Sequence, residues 1–314
     1  RTWLVLAVAL VALAVVPYCS ALRHGDNGAD DVEYVPVVLW HGMGDTCCFP
    51  WSMGTMERWI QKALPGIYVY SVMVGNNIIE DEIAGFLGNV NDEVAQIAGK
   101  LAADENLARG FSGIGFSQGG QFLRAYTEMY NEPKVYNLIS MGGQHQGVYG
   151  IPDCLAPNVT LCEVVRDLLD LGAYIPIVQE VSVQAQYWHD PLNEELYREK
   201  NIFLPNINND GSFNQTYKDN MLSLENFVMV KFDNDTVVIP RESEWFGFYA
   251  PGQDSEILPL EDSPLYIEDW LGLQELDNSS RLWQLDCPGN HLDFTEQYFM
   301  DNIIPFLNQT LPAN

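Results

Sequence analysis

Basic residues are scarce in this chain. Its 314 residues carry 15 Lys and Arg against 43 Asp and Glu, a formal net charge of −28. That balance excludes nucleic acid as a partner, because no basic patch is available to neutralise phosphates. It also argues against electrostatic docking on anionic lipid headgroups; solubility is reason enough for the acidity. Long apolar runs are equally rare. Trp3 to Val16 is an unbroken apolar run, with Arg1 before it and the small residues Cys19-Ser20-Ala21 after it. Those are the proportions of a secretory signal core, so residues 1–21 read as a signal peptide, N-terminally incomplete because the chain opens on Arg; a membrane anchor is the alternative. No later segment is apolar enough to span a bilayer, so no stable membrane span is expected. Repeats and low-complexity stretches are absent. So are His-Glu-x-x-His and paired Cys-x-x-Cys motifs, and no metal site is implied. A dinucleotide pattern starting at Gly113 fails at Gln118, and a phosphate-loop pattern from Gly115 fails at Gln121, which leaves no cofactor to expect.

The few cysteines, 6 in all, suit an oxidising compartment. Cys154 and Cys162 are close enough to close a small loop. Cys47 and Cys48 are adjacent and either form a vicinal disulfide or pair elsewhere. Cys19 leaves with the signal peptide, and Cys287 is expected to be the unpaired thiol. N-glycosylation sequons at Asn158, Asn214, Asn234, Asn278 and Asn308 agree with secretory entry.

Strand-like and helix-like runs alternate along the first half. Tyr34–Trp40, Ile67–Val74, Phe111–Phe116 and Tyr136–Met141 read as strands. Ile83–Asp104 and Gln118–Tyr130 read as mostly helical, with Val90, Val94, Ile97 and Leu101 near a 3.6-residue period. Pro133 stops the second helix. This rhythm predicts an α/β fold with a mostly parallel sheet and covering helices. It breaks between about Gln144 and Leu224, where prolines, asparagines and short helical pieces such as Cys162–Ala173 dominate. Asn226–Phe232 and Arg281–Leu285 then restore strands. The organisation expected is a core of residues 22–143 and 225–314 with an inserted cap of residues 144–224; loops of that length carry their own structure or a function.

The chemistry is carried by Gly115-Phe116-Ser117-Gln118-Gly119, a Gly-x-Ser-x-Gly pattern at the join of a strand and a helix. A nucleophile elbow has this shape: the sharp turn forces the serine hydroxyl outward, and glycines two residues either side avoid clashes within it. A serine hydroxyl needs a base in hydrogen-bond reach, and the base needs an acid to orient it. In this fold the acid and then the histidine follow the serine in chain order. Asp233 and Asp235 both stand just after the Asn226–Phe232 strand, and turn aspartates are common there. Of His24, His41, His145, His189 and His291, only His291 comes later than these aspartates. It follows the loop signal Pro288-Gly289-Asn290. Two backbone N–H groups must form the oxyanion hole. Gln118, after the nucleophile, supplies one; His41-Gly42-Met43-Gly44, after the first strand, is placed to supply the other through Met43.

Longer strings make the likeness specific. Leu39-Trp40-His41-Gly42-Met43-Gly44-Asp45-Thr46-Cys47-Cys48, Gly115 through Arg124, Gly142-Gly143-Gln144-His145-Gln146-Gly147 and Tyr187-Trp188-His189-Asp190-Pro191 resemble the palmitoyl-protein thioesterases. Phe227–Phe232, Ser243-Glu244-Trp245-Phe246-Gly247-Phe248-Tyr249 and Ile303-Ile304-Pro305-Phe306-Leu307 extend the resemblance over nearly all of the chain beyond the signal segment. The resemblance implies an α/β-hydrolase fold with an inserted lipid-binding cap domain. It implies hydrolysis of S-linked palmitoyl groups from cysteines of proteins being degraded in the lysosome. Ser117 takes the place of the nucleophile, Asp235 of the acid, His291 of the base, and Met43 and Gln118 of the oxyanion donors. The chain departs from the family at Gly289-Asn290-His291, where Gly-Asp-His is usual, and it lacks a further cysteine pair of vertebrate relatives.

S-palmitoylated proteins or peptides and acyl-CoA are the substrates this implies, with the lysosome reached through the secretory pathway and secretion as an alternative destination. A palmitoyl chain forfeits on the order of 11 kcal/mol on leaving lipid, at roughly 0.8 kcal/mol per methylene. An apolar groove must offset that, and Trp40, Gln144 and Trp188 are candidate lining residues, with core packing the alternative for both tryptophans. Histidine must be neutral to act as a base, so activity is expected to fall as pH drops through the middle of the acid range. Two rivals share these motifs: a secreted carboxylester lipase or esterase with the same triad, and a catalytically silent hydrolase-fold protein that binds lipid or a partner.

Overall fold

A computed structural model describes residues 33–150 and 159–311; the signal segment, Cys154 and the Asn158 sequon lie outside the described residues. Strand β1 (Val37–Trp40) is followed by helix α1 (Met53–Ala63), β2 (Val69–Ser71), α2 (Ile78–Ala84), α3 (Val90–Ala102), β3 (Phe111–Phe116), α4 (Gln118–Met129) and β4 (Val135–Met141). Helices α5 (Val159–Gly172), α6 (Pro176–Val181) and α7 (Val183–Gln186) lie between β4 and β5. After further short helices come β5 (Asn226–Phe232), β6 (Phe248–Tyr249), β7 (Ile257–Leu258) and β8 (Leu282–Cys287). Six strands form one sheet in the order β2-β1-β3-β4-β5-β8, and every neighbouring pair is parallel. β6 and β7 make a separate antiparallel ribbon.

Alternation along the strands divides the core in two. Val38, Trp40, Phe227 and Met229 point to one face, where Val94, Ile97, Phe122 and Tyr126 of α3 and α4 cover them. Val37, Leu39, Val228 and Val230 point to the other, against Met53, Met56 and Ile60 of α1 and Phe299 near the C-terminus. Both faces of the central strands are therefore buried, as a parallel sheet demands. Val183, Tyr187, Tyr197 and Phe203, from the stretch between β4 and β5, share the first of these cores with the sheet, so the packing of that stretch is continuous with that of the strands.

The expected helical stretch Ile83–Asp104 is two helices. α2 starts earlier, capped by Asn77, whose side chain accepts the N–H groups of Ile79 and Glu80. The chain then breaks, and Asn89 caps a new helix by accepting the N–H of Asn91. Side chains of Ser, Asn and Asp compete for backbone N–H groups in this way and start helices rather than continue them. β2 keeps only the middle of the expected Ile67–Val74 strand, and Tyr34 makes an isolated bridge to Thr310.

Because the sheet is parallel, the loops after β1, β3, β4, β5 and β8 all emerge at one edge. Met43, Ser117, Gln144, Asp235 and His291 sit on those loops, which is why residues far apart in sequence can meet.

Candidate active site

Ser117 adopts φ +53° and ψ −126° between β3 and α4. A non-glycine residue at positive φ is uncommon, and such strain concentrates at functional sites. Local sterics dictate the flanking glycines. A Cβ on Gly115 would lie 2.3 Å from the carbonyl oxygen of Gly119, and a Cβ on Gly119 would lie 2.3 Å from that of Trp40. The N–H of Ser117 donates to the Met141 carbonyl at 2.8 Å, anchoring the elbow to β4.

His291 Nε2 stands 2.9 Å from Ser117 Oγ. Its other ring nitrogen, Nδ1, is hydrogen-bonded to Asp235 Oδ2. Asp235 is the aspartate that reaches His291; the backbone carbonyl of Asp233 accepts from Arg241 Nη1 at 2.5 Å. The N–H groups of Val237 and Val238 donate to Asp235 Oδ1 at 2.7 and 2.9 Å. Burial pushes the Asp235 carboxyl up, but hydrogen bonds from His291 and Glu244, together with the attraction of the imidazole, outweigh it and hold the group below its ordinary range. The departure at Asn290 has a role. Its Oδ1 accepts the N–H of Thr236 at 3.1 Å and the N–H of His291 at 2.8 Å, tying the loop of the base to that of the acid. An aspartate would accept the same bonds.

Gln118 is the first residue of α4, where a backbone N–H has no intrahelical partner and is free to donate. The His41–Gly44 loop runs against the nucleophile: a Cβ on Gly42 would lie 3.1 Å from Ser117 Cβ. Buried Asp81 holds that loop. It bonds His41 Nε2 at 3.0 Å and accepts the N–H groups of Cys47 at 2.9 Å and Val74 at 2.6 Å. Burial disfavours the Asp81 charge, but His41 and these donors prevail and its carboxyl sits below its ordinary range.

A cavity opens over Ser117, lined by Met43, Gln144, Leu169, Gln184, Tyr187 and Val238 among others. The two tryptophans are corrected: neither lines this cavity. Trp40 is 1% exposed and packs edge-on to Phe122 at 5.7 Å, because alternation along β1 turns it into the sheet core. Trp188 packs against Tyr149 at 5.5 Å. In their place stand Leu169 of α5 and Gln184 of α7, side chains that no motif singled out. A second cavity, between Gln146, His189, Arg198, Phe248 and Trp270, contains no member of the triad.

The other described histidines have structural partners. His41 is bound to Asp81 and Gly42, and His189 to Gln146 and Glu194. His145 stacks on Phe246 at 4.7 Å, and burial and then Arg124 hold it neutral. Cys47 and Cys48 form a disulfide, Cys162 is disulfide-bonded, and Cys287 is free and buried. Asn234, Asn278 and Asn308 are exposed, while the side chain of half-buried Asn214 accepts the N–H of Thr216. Asp235, Glu244 and His291 bring one potential ligand atom each within 4.8 Å of one another, but the His291 and Asp235 atoms are already bonded together.

The palmitoyl protein thioesterase family model matches residues 36–291. The chain belongs to that family. It is 48% identical over 272 residues to palmitoyl-protein thioesterase 1 of Caenorhabditis elegans, covering 87% of this chain and 91% of that protein. Palmitoyl-protein thioesterase 3 of Dictyostelium discoideum is 38% identical, with 87% and 92% covered. The lysosomal thioesterase PPT2-B of Xenopus laevis is 28% identical, with 83% and 87% covered. The matched span runs from the residue before β1 to His291, so it takes in Ser117, Asp235 and His291.

Proposed function

We propose that this chain is a serine thioesterase that removes S-linked palmitoyl groups from protein cysteines, with Ser117 as nucleophile, His291 as base and Asp235 as its orienting acid. The observation that carries this reading is the continuous hydrogen-bonded series from Ser117 Oγ through His291 to Asp235. Ser117 attacks the thioester carbonyl while His291 Nε2 takes the hydroxyl proton. The backbone N–H groups of Met43 and Gln118 receive the developing oxyanion. The C–S bond breaks, and the cysteine leaves as a thiol carrying the proton held by His291. Water then attacks the acyl-serine by the same route, His291 taking its proton and returning one to Ser117. A thiol near pKa 8.5 leaves far more readily than an alkoxide, so proton donation to the leaving group matters less than in a lipase.

The acyl chain is assigned to the cavity bounded by Met43, Leu169 and Val238, and residues 144–224 to the cap that carries it between the hydrolase segments 22–143 and 225–314. A secretory route to the lysosome, with residues 1–21 as its signal, accords with the names of the PPT2 relatives and with the exposed sequons Asn234, Asn278 and Asn308. Hydrolysis of palmitoyl-CoA by wild type beside Ser117→Ala tests the reading. Matched palmitoyl thioester and oxygen-ester substrates separate it from a carboxylester lipase: preference for the oxygen ester would overturn it.

A further inference from the structure

The scheme above leaves Glu244 unused, although this carboxyl is completely buried and abuts the catalytic acid. It sits in the 3-10 turn Arg241–Trp245, and its Oε2 accepts the N–H of Phe232, the last residue of β5, at 2.9 Å. Its Oε1 is buried, and no N–H or hydroxyl reaches it. One carboxylate oxygen of Glu244 and one of Asp235 lie within 4.8 Å of each other. Two buried carboxyl groups this close do not both keep their charge, and a proton held by one lets it donate to the other. Donors engage both Asp235 oxygens: two backbone N–H groups on Oδ1 and the imidazole on Oδ2. Glu244 has one donor and one oxygen without any. The proton therefore belongs on Glu244.

The other titratable groups facing Glu244 do not offset this. Lys231 of β5 lies 3.7 Å above the Trp245 ring and 3.2 Å from the Asp286 carboxylate. Cys287, at the end of β8, is a buried thiol. A His291 ring nitrogen also lies within 4.8 Å of a Glu244 oxygen, but its Nδ1 is hydrogen-bonded to Asp235. Burial, and then the adjacent Asp235, drive the Glu244 carboxyl well above the ordinary range, in agreement with the geometry.

We propose that Glu244 is a neutral positioning residue behind the triad, donating a hydrogen bond to Asp235 that fixes this carboxylate against His291 and draws off part of its negative charge. The proposal rests on the reading of Ser117, His291 and Asp235 as the triad. Its consequence falls on the acid side of the pH profile. An undivided Asp235 charge favours the imidazolium form, which cannot act as a base; sharing that charge with Glu244 leaves more neutral imidazole at a given acid pH. A histidine base can then work in a mildly acidic medium.

The test is the pH profile of kcat/KM for palmitoyl-CoA, measured on the full chain for wild type, Glu244→Gln, Glu244→Ala and Ser117→Ala. The glutamine amide can donate to Asp235 while its oxygen accepts the Phe232 N–H. That variant is expected to stay within about threefold of wild type, with its acid limb unmoved. Glu244→Ala removes a hydrogen bond to a charged group, an expected loss of on the order of 10- to 100-fold, with the acid limb displaced upward by about one pH unit. An acid limb moved by a full unit in Glu244→Gln, or a wild-type profile in Glu244→Ala, overturns the proposal. Should Glu244→Ala not fold, Glu244→Gln still decides, joined by infrared difference spectra between it and wild type: a protonated-carboxyl band at neutral pH supports the proposal and carboxylate bands alone overturn it. Full activity in Ser117→Ala would instead remove the triad reading, a separate failure.

Discussion

Two histidine–aspartate pairs stand among the described residues, and their surroundings differ. His41 with Asp81, and His291 with Asp235, each place a ring nitrogen on a carboxylate. The second nitrogen distinguishes them. In His41 it is tied to the Gly42 carbonyl at 3.0 Å, so both nitrogens are occupied by fixed partners and the ring acts as a strut under the His41–Gly44 loop. In His291 it faces a serine hydroxyl held at a strained elbow. The aspartates differ as well: Asp81 gathers backbone N–H groups from two loops, whereas Asp235 is backed by a second carboxyl. A His–Asp bond is therefore no mark of catalysis by itself. What the free nitrogen meets decides the matter.

Substitutions in the two pairs should separate these roles. Ser117→Ala is expected to lower turnover of palmitoyl-CoA by on the order of 10⁴- to 10⁶-fold with little change in melting temperature; a loss below tenfold would break the contrast. Asp235→Asn should cost about 10⁴ in kcat by disturbing the orientation of His291, again with the fold intact by circular dichroism. Asp81→Ala should do the reverse. Removing one partner of a buried pair costs about 3–5 kcal/mol of stability, so chemical denaturation should show a much lower midpoint, and activity should fall with the folded fraction and the oxyanion loop. If that variant melts like wild type yet is inactive, the strut reading of His41 fails.

The smallest effect concerns buried Glu93, whose Oε1 has no hydrogen-bond partner. Burial, then the charges of Asp81 and Asp92, push its carboxyl up to about 8 from an ordinary 4.5. Between those values the folded chain keeps a proton that the unfolded chain has lost. Stability must therefore fall as pH rises from about 4.5 toward 8. Glu93→Gln removes the linkage: its melting temperature should match wild type near pH 5 and exceed it by a few degrees near pH 8. Equal melting curves at both pH values would deny the buried carboxyl its influence.

Much of the frame could be read from the residues. Phe111–Phe116 and Asn226–Phe232 read as strand-forming runs and the helix after Ser117 as one stopped by Pro133, and their observed limits agree closely with those expected. The break between α2 and α3 was hidden, because Asn89 looks like any polar residue until its side chain is seen capping a helix. Trp40 was ambiguous for another reason. A tryptophan beside a catalytic loop can line a groove or fill a core, and only the direction of β1 separates the two. Glu244 lay inside a recognised string, yet nothing in Ser243-Glu244-Trp245 says that its carboxyl meets one from the Asp235 loop.

The sequence alone determined what depends on near neighbours. The elbow needs glycine two residues before and after Ser117, strand alternation selects the two core faces, and a single histidine follows the acid. Tertiary structure decided which aspartate reaches His291, which histidine is left with a nitrogen facing the serine, and which carboxyls are buried side by side. Short-range sterics act over a few residues and are written in order along the chain, whereas burial and charge depend on which distant segments the fold brings into contact.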